Sequence, residues 1–275
     1  MCKRDNQVAI IGAGNVATHL AKALSAAGCE VTGVMSRTAK TAEALATQIG
    51  AKGVTDMASL PSADVYIYAV SDDALPALAE RGSNMWPEAL HIHTSGSTPI
   101  DVFCKECRSY GVLYPMQTFS KQTSVDFRRI PCFVEGKDAV SLARITSLAA
   151  RVADSVTPLD SVRRLRLHLA AVFACNFVNH CYAVAADVID KGAGLPASVL
   201  WPLIDETAEK VHRLQARDAQ TGPAVRNDRR IMNRHLQLLE HDGLRRELYA
   251  IMSDSIHDYA TRDVEYRKGK LHKEK

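Results

Sequence analysis

The feature that most constrains this chain is a glycine-containing stretch close to its start, residues 8–20. Four apolar residues run directly into the pattern Gly12-x-Gly14-x-x-Ala17, and a helical pattern follows. This order indicates a buried strand, a tight turn and a helix, because Gly12 can adopt backbone angles that a side chain forbids. In such a turn Gly14 lets a pyrophosphate approach the backbone, and Ala17 lets the helix pack closely on the strand.

The helix after this turn predicts a dinucleotide-binding site. Its first backbone N–H groups lie free at the positive end of the helix dipole, where they suit phosphate oxygens. The residues expected to hold the pyrophosphate are Gly12, Gly14, Asn15 and Val16. A plain strand–helix turn is the alternative, and the position of the glycines between a strand and a helix favours the binding site.

Length and composition describe an ordinary globular chain. Its 275 residues predict two domains, and 47% of them are hydrophobic and 24% charged. The net charge of +3 is too small to indicate a nucleic-acid partner. Seven scattered cysteines and a polar start without a signal peptide indicate a reduced, cytoplasmic protein. Cys104 and Cys107 form a C-x-x-C pair that no second pair completes, so no metal site is expected.

The end of the second predicted strand, residues 29–35, indicates which dinucleotide binds. An NAD site carries an acidic residue about 20 residues after the glycines, where it contacts the ribose hydroxyls. This chain has Ser36, Arg37 and Thr38 there instead. The planar guanidinium of Arg37 suits a 2′-phosphate, and the two hydroxyls add donors. The sequence therefore predicts NADP as the cofactor, and the alternative is that Arg37 is a solvated residue at a helix start.

Two further strands are expected to end beside the cofactor. Residues 63–70 form a buried apolar run, and residues 90–97 form a short strand followed by a small polar turn. Ligands bind at the carboxyl ends of the strands in open α/β sheets. His93 is a candidate proton donor, with a structural histidine as the alternative. The other predicted contacts are Ala69, Val70, Ser71 and Thr94 for the cofactor and Ser95 for the substrate.

A polar cluster without a charge follows the next strand, within residues 111–120. Its hydroxyl and amide groups suit the orientation of a substrate or a carboxamide more than strong acid–base work. Gln117 is accordingly predicted to contact the substrate, and Tyr114, Thr118 and Ser120 complete the cluster. Two short strands, residues 131–136 and 155–160, are expected to close the first domain at residue 160.

From residue 161 onward the pattern is entirely helical. The longest predicted helix covers residues 162–191, and its apolar middle is long enough to raise a membrane span. His168, Asn176 and Asn179 interrupt that middle, which favours the centre of a bundle or a subunit contact. Spacings of eight and three residues leave these three side chains within reach of one helix face, and buried amides need polar partners. With substrate and nicotinamide as those partners, His168 and Asn176 are candidate catalytic residues and Asn179 is a candidate substrate contact. Neighbouring helices are the alternative partners, and a homodimer through this helix is expected.

A polar turn interrupts the helical pattern at residues 220–228. Thr221, Gly222 and Arg226 lie in this turn. Free backbone N–H groups together with a guanidinium form an anion site, such as one for a substrate carboxylate. An ordinary loop between two helices is the alternative.

Several of these segments together resemble a known family. They are the glycine turn, HTSGS at residues 93–97, YPMQTFS at 114–120, residues 168–180, and TGPAVRND at 221–228. The chain resembles the two-domain Rossmann-like NADP oxidoreductases, some of which are described as deazaflavin-dependent, with a helical C-terminal domain of unknown function. It is more distantly similar to pyrroline-5-carboxylate reductase and to the β-hydroxyacid dehydrogenases.

The resemblance implies both a fold and an activity. The fold is a Rossmann-type, doubly wound, mainly parallel sheet in residues 1–160, followed by an all-α domain in residues 161–275. The activity is hydride transfer between NADP and a small carbonyl or imine, held between the sheet edge and the helical domain of a dimer. No lysine lies between Asp160 and Asp190, so the lysine mechanism of the β-hydroxyacid dehydrogenases is not expected. A redox sensor that binds NADP without turnover, and a reductase that uses NAD or a deazaflavin, are the alternatives.

Overall fold

The computed structural model describes residues 6–103 and 107–271. The chain divides into two compact units, Met1–Phe177 and Val178–Lys275. Residue 160, where the first domain was expected to end, immediately precedes the first of the C-terminal helices. The first compact unit continues beyond it and includes the helical turns up to Phe177.

The first unit is built on one sheet whose strands are β1 (Gln7–Ile11), β2 (Glu30–Met35), β3 (Lys52–Val54), β4 (Val65–Tyr68), β5 (Leu90–His93), β6 (Ser109–Pro115), β7 (Cys132–Gly136) and β8 (Val156–Pro158). The strand order across the sheet is β3-β2-β1-β4-β5-β6-β7-β8. Neighbouring strands are parallel except for β6 and β7, which are antiparallel. The predicted Rossmann-type, mainly parallel sheet is confirmed.

Helices cover both faces of this sheet. They are α1 (Asn15–Ala26), α2 (Ala39–Ile49), α3 (Leu75–Met85), α4 (Ala139–Ala149) and α5 (Ser161–Ala171). Successive side chains of a strand face opposite sides, so Val8 and Ile10 belong to one core while Ala9 and Ile11 belong to the other. Helices α1, α2 and α4 contribute to the first core, and α3 contributes to the second. The sheet is therefore doubly wound.

Short polar residues determine where several of these helices begin. The side chain of Thr38 accepts a hydrogen bond from the backbone N–H of Thr41 at the start of α2. Asp160 does the same for the N–H of Arg163 at the start of α5, at 2.8 Å. Such caps satisfy backbone donors that have no partner within the helix. Helix α5 begins at Ser161, one residue before the start that the helical pattern predicts.

The helix predicted over residues 162–191 is not regular throughout. Helix α5 passes into a π-helical segment, Val172–Phe177, and α6 (Val178–Ala193) follows in the second unit. Among the described residues, Ser161–Asp190 is the one stretch long and apolar enough to cross a membrane, judged by length and composition alone. No residue of its most apolar window is buried. Core helices of proteins outside membranes can pass the same test, so the criterion assigns no location.

The elements described in the second unit are all helical, as predicted. They are α6, α7 (Trp201–Arg213), α8 (Ala216–Ala219), α9 (Arg229–Leu238), α10 (Gly243–Leu271) and the 3-10 turn Ala197–Leu200. An ion pair joins Asp187 of α6 to Arg245 of α10. His235 Nδ1 lies 2.7 Å from the hydroxyl of Tyr249, which links α9 to α10. Residues 197–219 form three successive helical pieces, which are the 3-10 turn, α7 and α8.

Candidate functional site

The carboxyl ends of five adjacent strands border one cavity of about 1060 Å³ within the first unit. Pockets for small molecules and cofactors have volumes of roughly 300–1,000 Å³, so a dinucleotide fits a space of this size. The strands are β2, β1, β4, β5 and β6, in their order across the sheet. Fifteen of the predicted site residues line the cavity: Gly12, Gly14, Asn15, Val16, Ser36, Arg37, Thr38, Ala69, Val70, Ser71, Thr94, Ser95, Gln117, His168 and Asn176.

The glycine turn follows β1 and forms the middle of this edge. Gly12 has a φ of 122°, and a Cβ atom built there would lie 2.1 Å from the carbonyl oxygen of Ala69, so no larger residue fits. A Cβ atom on Gly14 would meet nothing within 4 Å, which leaves open space above the start of α1. No acidic residue stands in the first turn of α1, and no side chain caps it. These features fit the pyrophosphate of a dinucleotide.

The predicted 2′-phosphate residues lie where β2 ends and α2 begins. Arg37 and Thr38 are exposed and Ser36 is half-buried. The hydroxyl of Thr41 lies 2.6 Å from the Ser36 hydroxyl and 2.7 Å from the Thr38 hydroxyl. Thr41 thus holds the two predicted donors in place from one helical turn away. Thr41 is not among the predicted site residues, although its spacing from Thr38 follows from a helix that begins at Ala39.

The turn after β5 is held together by hydroxyl groups. The Ser95 hydroxyl accepts hydrogen bonds from the backbone N–H groups of Ser97, at 3.2 Å, and Thr98, at 2.9 Å. The Ser97 hydroxyl donates to the carboxylate of Asp72, which lines the cavity beyond the end of β4. This bond ties together two adjacent loops of the site. A hydrogen bond between loops that follow two different strands leaves no local signal in the sequence.

His93 is not on the cavity wall, in contrast to its predicted place near the nicotinamide. Its side chain is completely buried, and its Nδ1 accepts a hydrogen bond from the backbone N–H of Ser95. Burial, reinforced by the Arg164 guanidinium, lowers the pKa of His93 to about 3. A neutral imidazole in the core cannot reach a substrate in the cavity. This position favours the structural alternative for His93, and its role as a proton donor stays a prediction.

Tyr114 and His168 meet on the cavity wall. The Tyr114 hydroxyl at the end of β6 lies 3.1 Å from Nδ1 of His168 on α5, with the two rings edge to face. Gly96 makes room for this contact, because a Cβ atom there would lie 2.7 Å from His168 Nδ1 and 2.9 Å from Tyr114 Cζ. Burial raises the pKa of Tyr114, and the Arg164 guanidinium opposes that rise. The phenol is therefore protonated near neutral pH and can donate a proton or a hydrogen bond.

Arg164 lies beneath this pair and is almost completely buried. Its guanidinium forms an ion pair with Glu135 of β7 and donates to the carbonyl oxygen of Thr98. These bonds fasten α5, which carries His168, to the sheet and to the turn after β5. In the sequence, Arg164 was indistinguishable from its neighbours Arg163 and Arg166, both of which are exposed.

The π-helical segment brings Asn176 to the cavity. Ala174, Cys175 and Asn176 are consecutive and all three line it. A π turn inserts an extra residue into a helix, and such turns occur frequently at functional sites. A regular helix would turn one of three consecutive residues away from a common surface. Asn176 and His168, whose spacing of eight residues puts them within reach of one helix face, line the same cavity.

Four predicted substrate contacts belong to the second unit: Asn179, Thr221, Gly222 and Arg226. Asn179 lies exposed on α6, and Thr221 and Arg226 are exposed in the turn before α9. Two residues of this turn have a positive φ: Gly222, at 110°, and Asn227, at 53°. Asp228 caps α9 by accepting a hydrogen bond from the N–H of Ile231 at 3.1 Å. This cap is typical of an ordinary loop between two helices, and the anion site stays a prediction.

No group of three histidine, cysteine or acidic side chains that could hold a metal ion occurs within residues 6–103 and 107–271. Cys107 is buried, and its C-x-x-C partner Cys104 lies outside the described residues.

Comparisons with known proteins identify the family. Residues 7–95 match the model of the NADP oxidoreductases described as coenzyme F420-dependent, and residues 130–256 match a domain of unknown function, DUF2520. A crystal structure from Bacteroides fragilis, described as that of a candidate NADP oxidoreductase, is 44% identical over 92% of this chain and 98% of its own, with a TM-score of 0.87. The chain belongs to this family of NADP oxidoreductases.

More distant structures share the fold. An imine reductase from Myxococcus stipitatus, solved in complex with NADP⁺, covers 94% of both chains at 16% identity, with a TM-score of 0.65. A pyrroline-5-carboxylate reductase from Coxiella burnetii covers 94% of this chain and 98% of its own at 17% identity, with a TM-score of 0.55. A search of curated proteins returned no match. The family therefore assigns this chain to the general class of NAD(P)-dependent oxidoreductases.

Proposed function

We propose that this family member is an NADP-dependent oxidoreductase that transfers hydride between the nicotinamide and a small carbonyl or imine substrate. The observation that carries the proposal is the order of groups along one cavity. Arg37 follows β2, the glycine turn follows β1, and the Tyr114–His168 pair stands at β6 and α5. A dinucleotide laid along this edge has its 2′-phosphate beside Arg37 and its pyrophosphate at the turn. Its nicotinamide then lies towards Tyr114 and His168.

The choice of NADP over NAD or a deazaflavin rests on the end of β2. The stretch Met35-Ser36-Arg37-Thr38 contains no carboxylate that would bind free ribose hydroxyls or repel a phosphate. Arg37 presents an exposed guanidinium beside two hydroxyls that Thr41 holds in place. A planar guanidinium forms paired hydrogen bonds with phosphate oxygens. This combination favours a phosphate group at that position.

The protein's own groups supply the proton and the orientation. A bound reduced nicotinamide provides a hydride, so the substrate carbon gains two electrons and its oxygen or nitrogen needs a proton. Tyr114 and His168 share a hydrogen bond within the cavity. When Nδ1–H of His168 donates to the phenol oxygen, the phenol proton is free for the substrate, the imidazole hydrogen bond stabilises the phenolate that remains, and solvent returns a proton to it. Ser95, Gln117 and Asn176 are placed to orient the substrate or the carboxamide.

Titration with reduced nucleotides tests the cofactor assignment. Wild-type protein is titrated with NADPH and with NADH while nucleotide fluorescence is recorded, and the Arg37→Ala and Lys40→Ala variants are compared. We expect Arg37→Ala to weaken NADPH binding about 10- to 100-fold and to change NADH binding little, because a charge-assisted phosphate contact is lost. Lys40→Ala is the control, since Lys40 is a neighbouring exposed cation.

Several outcomes of this titration overturn the assignment. Absence of binding for both nucleotides excludes a nicotinamide cofactor, and tighter binding of NADH than NADPH excludes the role given to Arg37. Equal losses for both nucleotides in Arg37→Ala, or equal effects of the two variants, leave Arg37 as a solvated residue.

Turnover is tested by following NADPH oxidation with small carbonyl and imine acids, including cyclic imines. The names of two structural neighbours, imine reductase and pyrroline-5-carboxylate reductase, recommend imines for this screen. A substrate that is reduced stoichiometrically with NADPH supports an enzyme. Tight NADPH binding with no turnover across the whole set favours instead a protein that senses the nucleotide or passes its state to a partner.

A further inference from the structure

A row of side chains crosses one face of the sheet at its carboxyl edge. His93 on β5 lies opposite Val112 on β6, and Val112 lies opposite Glu135 on β7. Residues that lie opposite each other on neighbouring strands share one face of the sheet, and so do alternate residues along one strand. Tyr114, two residues after Val112, therefore stands on the same face, about 7 Å further along β6.

Arg164 reaches from α5 into this row. Its guanidinium is almost completely buried, pairs with Glu135 through Nη1 and donates through Nη2 to the carbonyl oxygen of Thr98. Glu135 belongs to β7 and Thr98 to the turn after β5, and β6 lies between those two strands. The positive charge of Arg164 is therefore held over the strand that carries Tyr114.

The same helix brings His168 to Tyr114. His168 follows Arg164 by four residues, so both side chains lie on one face of α5. The Tyr114 hydroxyl lies 3.1 Å from Nδ1 of His168. Burial raises the pKa of Tyr114, and the Arg164 guanidinium opposes that rise. The charged or titratable groups around the phenol are Arg164 and His168 from α5, Glu135 from β7 and the neutral imidazole of His93 from β5.

The attachment of α5 to the sheet does not by itself require a charged residue at position 164. A buried ion pair is often no more stable than apolar side chains of similar volume, because both charges must leave water. The Nε–H of Arg164 is buried and has no acceptor among residues 6–103 and 107–271. The bonds to Glu135 and Thr98 thus leave the guanidinium incompletely satisfied, and its positive charge can act on a third group.

We propose that Arg164 is a positioning residue for proton transfer, whose buried positive charge stabilises the phenolate of Tyr114. The proposal rests on the proposed function, in which the substrate carbon receives a hydride and the phenol gives a proton to the substrate's oxygen or nitrogen. In that step the O–H bond of Tyr114 breaks, the proton forms a bond to the substrate, and the electron pair of the broken bond stays on the phenol oxygen. His168 contributes a hydrogen bond to that phenolate, and Arg164 contributes a full charge.

The experiment measures the titration of the Tyr114 phenol in the full-length protein without turnover. The tyrosines are replaced by 3-fluorotyrosine, fluorine NMR follows their titration, and Tyr114→Phe assigns the signal. Glu135→Gln leaves the Arg164 charge without its counter-ion, so the phenol should titrate at lower pH than in wild type. Arg164→Met combined with Glu135→Gln removes both charges, so the phenol should titrate at higher pH.

These two variants separate an electrostatic role from a structural one. A purely structural role of Arg164 predicts that both variants disturb the phenol in the same sense, whereas its charge predicts shifts in opposite directions. Glu88→Gln is the control, because it breaks the exposed ion pair with Arg108 and should leave the titration unchanged. The double variant leaves no unpaired charge in the interior, which limits its loss of stability.

A kinetic measurement accompanies the titration. NADPH oxidation is followed with the carbonyl or imine that the substrate screen shows to be reduced, and NADPH binding is measured by fluorescence. We expect the double variant to lower kcat about tenfold and to keep its NADPH affinity within about twofold of wild type, because the loss falls on proton transfer. An equal loss of kcat and of NADPH affinity would show a general disturbance of the cavity and would contradict the role of Arg164.

The outcomes distinguish this proposal from the function it rests on. An unchanged titration of Tyr114 in both variants, or a shift in the same direction in both, overturns the role of Arg164 and leaves the proposed function standing. If Glu135→Gln does not fold, the double variant decides alone, and titration at the wild-type pH or below it overturns the proposal. If the phenol responds as expected but no compound of the screen is reduced, the proposed function fails while the stabilisation of the phenolate stands.

Discussion

At the scale of single residues, the side chains of β5 show how one strand serves the core and the site at once. His91 and His93 point to the same side of this strand and are completely buried. His91 Nδ1 lies 2.9 Å from the hydroxyl of Tyr68, and its Nε2 lies 2.9 Å from the carbonyl oxygen of Trp86. Burial lowers the pKa of His91 to about 4 and that of His93 to about 3. Both imidazoles are therefore neutral parts of the folded core.

Protonation of these histidines predicts a loss of stability in mild acid. In the unfolded chain a histidine binds a proton near pH 6.5, whereas the folded chain resists protonation down to pH 4 or 3. The neutral histidines therefore make their full contribution to the free energy of unfolding above pH 6.5. This contribution decreases as the pH falls below 6.5, because the unfolded state then binds more protons than the folded state. Between pH 5.5 and 4.5 we expect each histidine to lower the free energy of unfolding by about 1.4 kcal/mol.

Urea unfolding at a series of pH values measures this effect. The His93→Gln variant should be less stable than wild type at pH 7, yet its stability should fall less steeply with decreasing pH, by about 1.4 kcal/mol per pH unit. His241→Gln is the control, because His241 is exposed. Parallel pH profiles for wild type and His93→Gln would contradict a buried neutral imidazole at this position.

At the scale of elements, the attachment of α5 to the sheet decides where His168 stands. The side chain of Arg164 is 1% exposed, and that of its partner Glu135 is 16% exposed. Ser161 at the start of α5 donates a further hydrogen bond to Glu135 at 2.8 Å. A buried guanidinium is tolerated only while its partners are present. The pair therefore holds α5 in one position against β7.

Removal of the Glu135 charge tests this attachment. Glu135→Gln leaves the Arg164 charge buried without its counter-ion, and we expect the free energy of unfolding to fall by about 3–5 kcal/mol. The matched control is Glu88→Gln, which breaks the ion pair with Arg108, where both side chains are about three-quarters exposed. That change should cost less than about 1 kcal/mol. Similar losses in the two variants, measured by chemical denaturation, would show that the Arg164–Glu135 pair has no special role.

Most helices and strands of the first unit follow from local signals in the sequence. The apolar run before Gly12 predicts β1, and the helical pattern from residue 162 predicts α5. The π turn at Val172–Phe177 does not follow from such signals, since it depends on packing around it rather than on residue type. The spacing of His168 and Asn176 predicts a shared helix face, but it does not predict the π turn between them.

At the scale of the whole molecule, a stripe of large apolar side chains remains exposed on the helical stretch that ends the first unit. Val162, Leu165, Leu169, Phe173 and Phe177 recur at spacings of three or four residues, and each is at least 50% exposed. The rings of Phe173 and Phe177 pack edge to face, 4.9 Å apart. A contiguous exposed apolar stripe of this kind marks an interaction surface. We expect the same stripe of a second copy to cover it, as the sequence analysis predicted from this helix.

Light scattering after size-exclusion chromatography tests the expected homodimer. Wild-type protein at micromolar concentration should have twice the 30.0 kDa mass of one chain. Leu169→Glu should shift it to the monomer, because a charge in the centre of the stripe must be desolvated in the dimer. Leu238→Glu is the control, since Leu238 is 85% exposed and belongs to α9, not to the stripe. A monomeric wild type contradicts the dimer, and recovery only with detergent-extracted membranes would assign the stripe to a bilayer instead.

The sequence by itself determined the elements and the nucleotide end of the candidate site. The glycines, the apolar run before them and Arg37 act within a few neighbouring residues, so their spacing predicts the turn, the helix and the phosphate contacts. Only the tertiary structure decided which histidine faces the cavity, because His93 and His168 look equally suitable until the sheet buries one and brings Tyr114 to the other. The same holds for Arg164 with Glu135. These contacts join residues far apart in the chain, and folding rather than local pattern determines which of them meet.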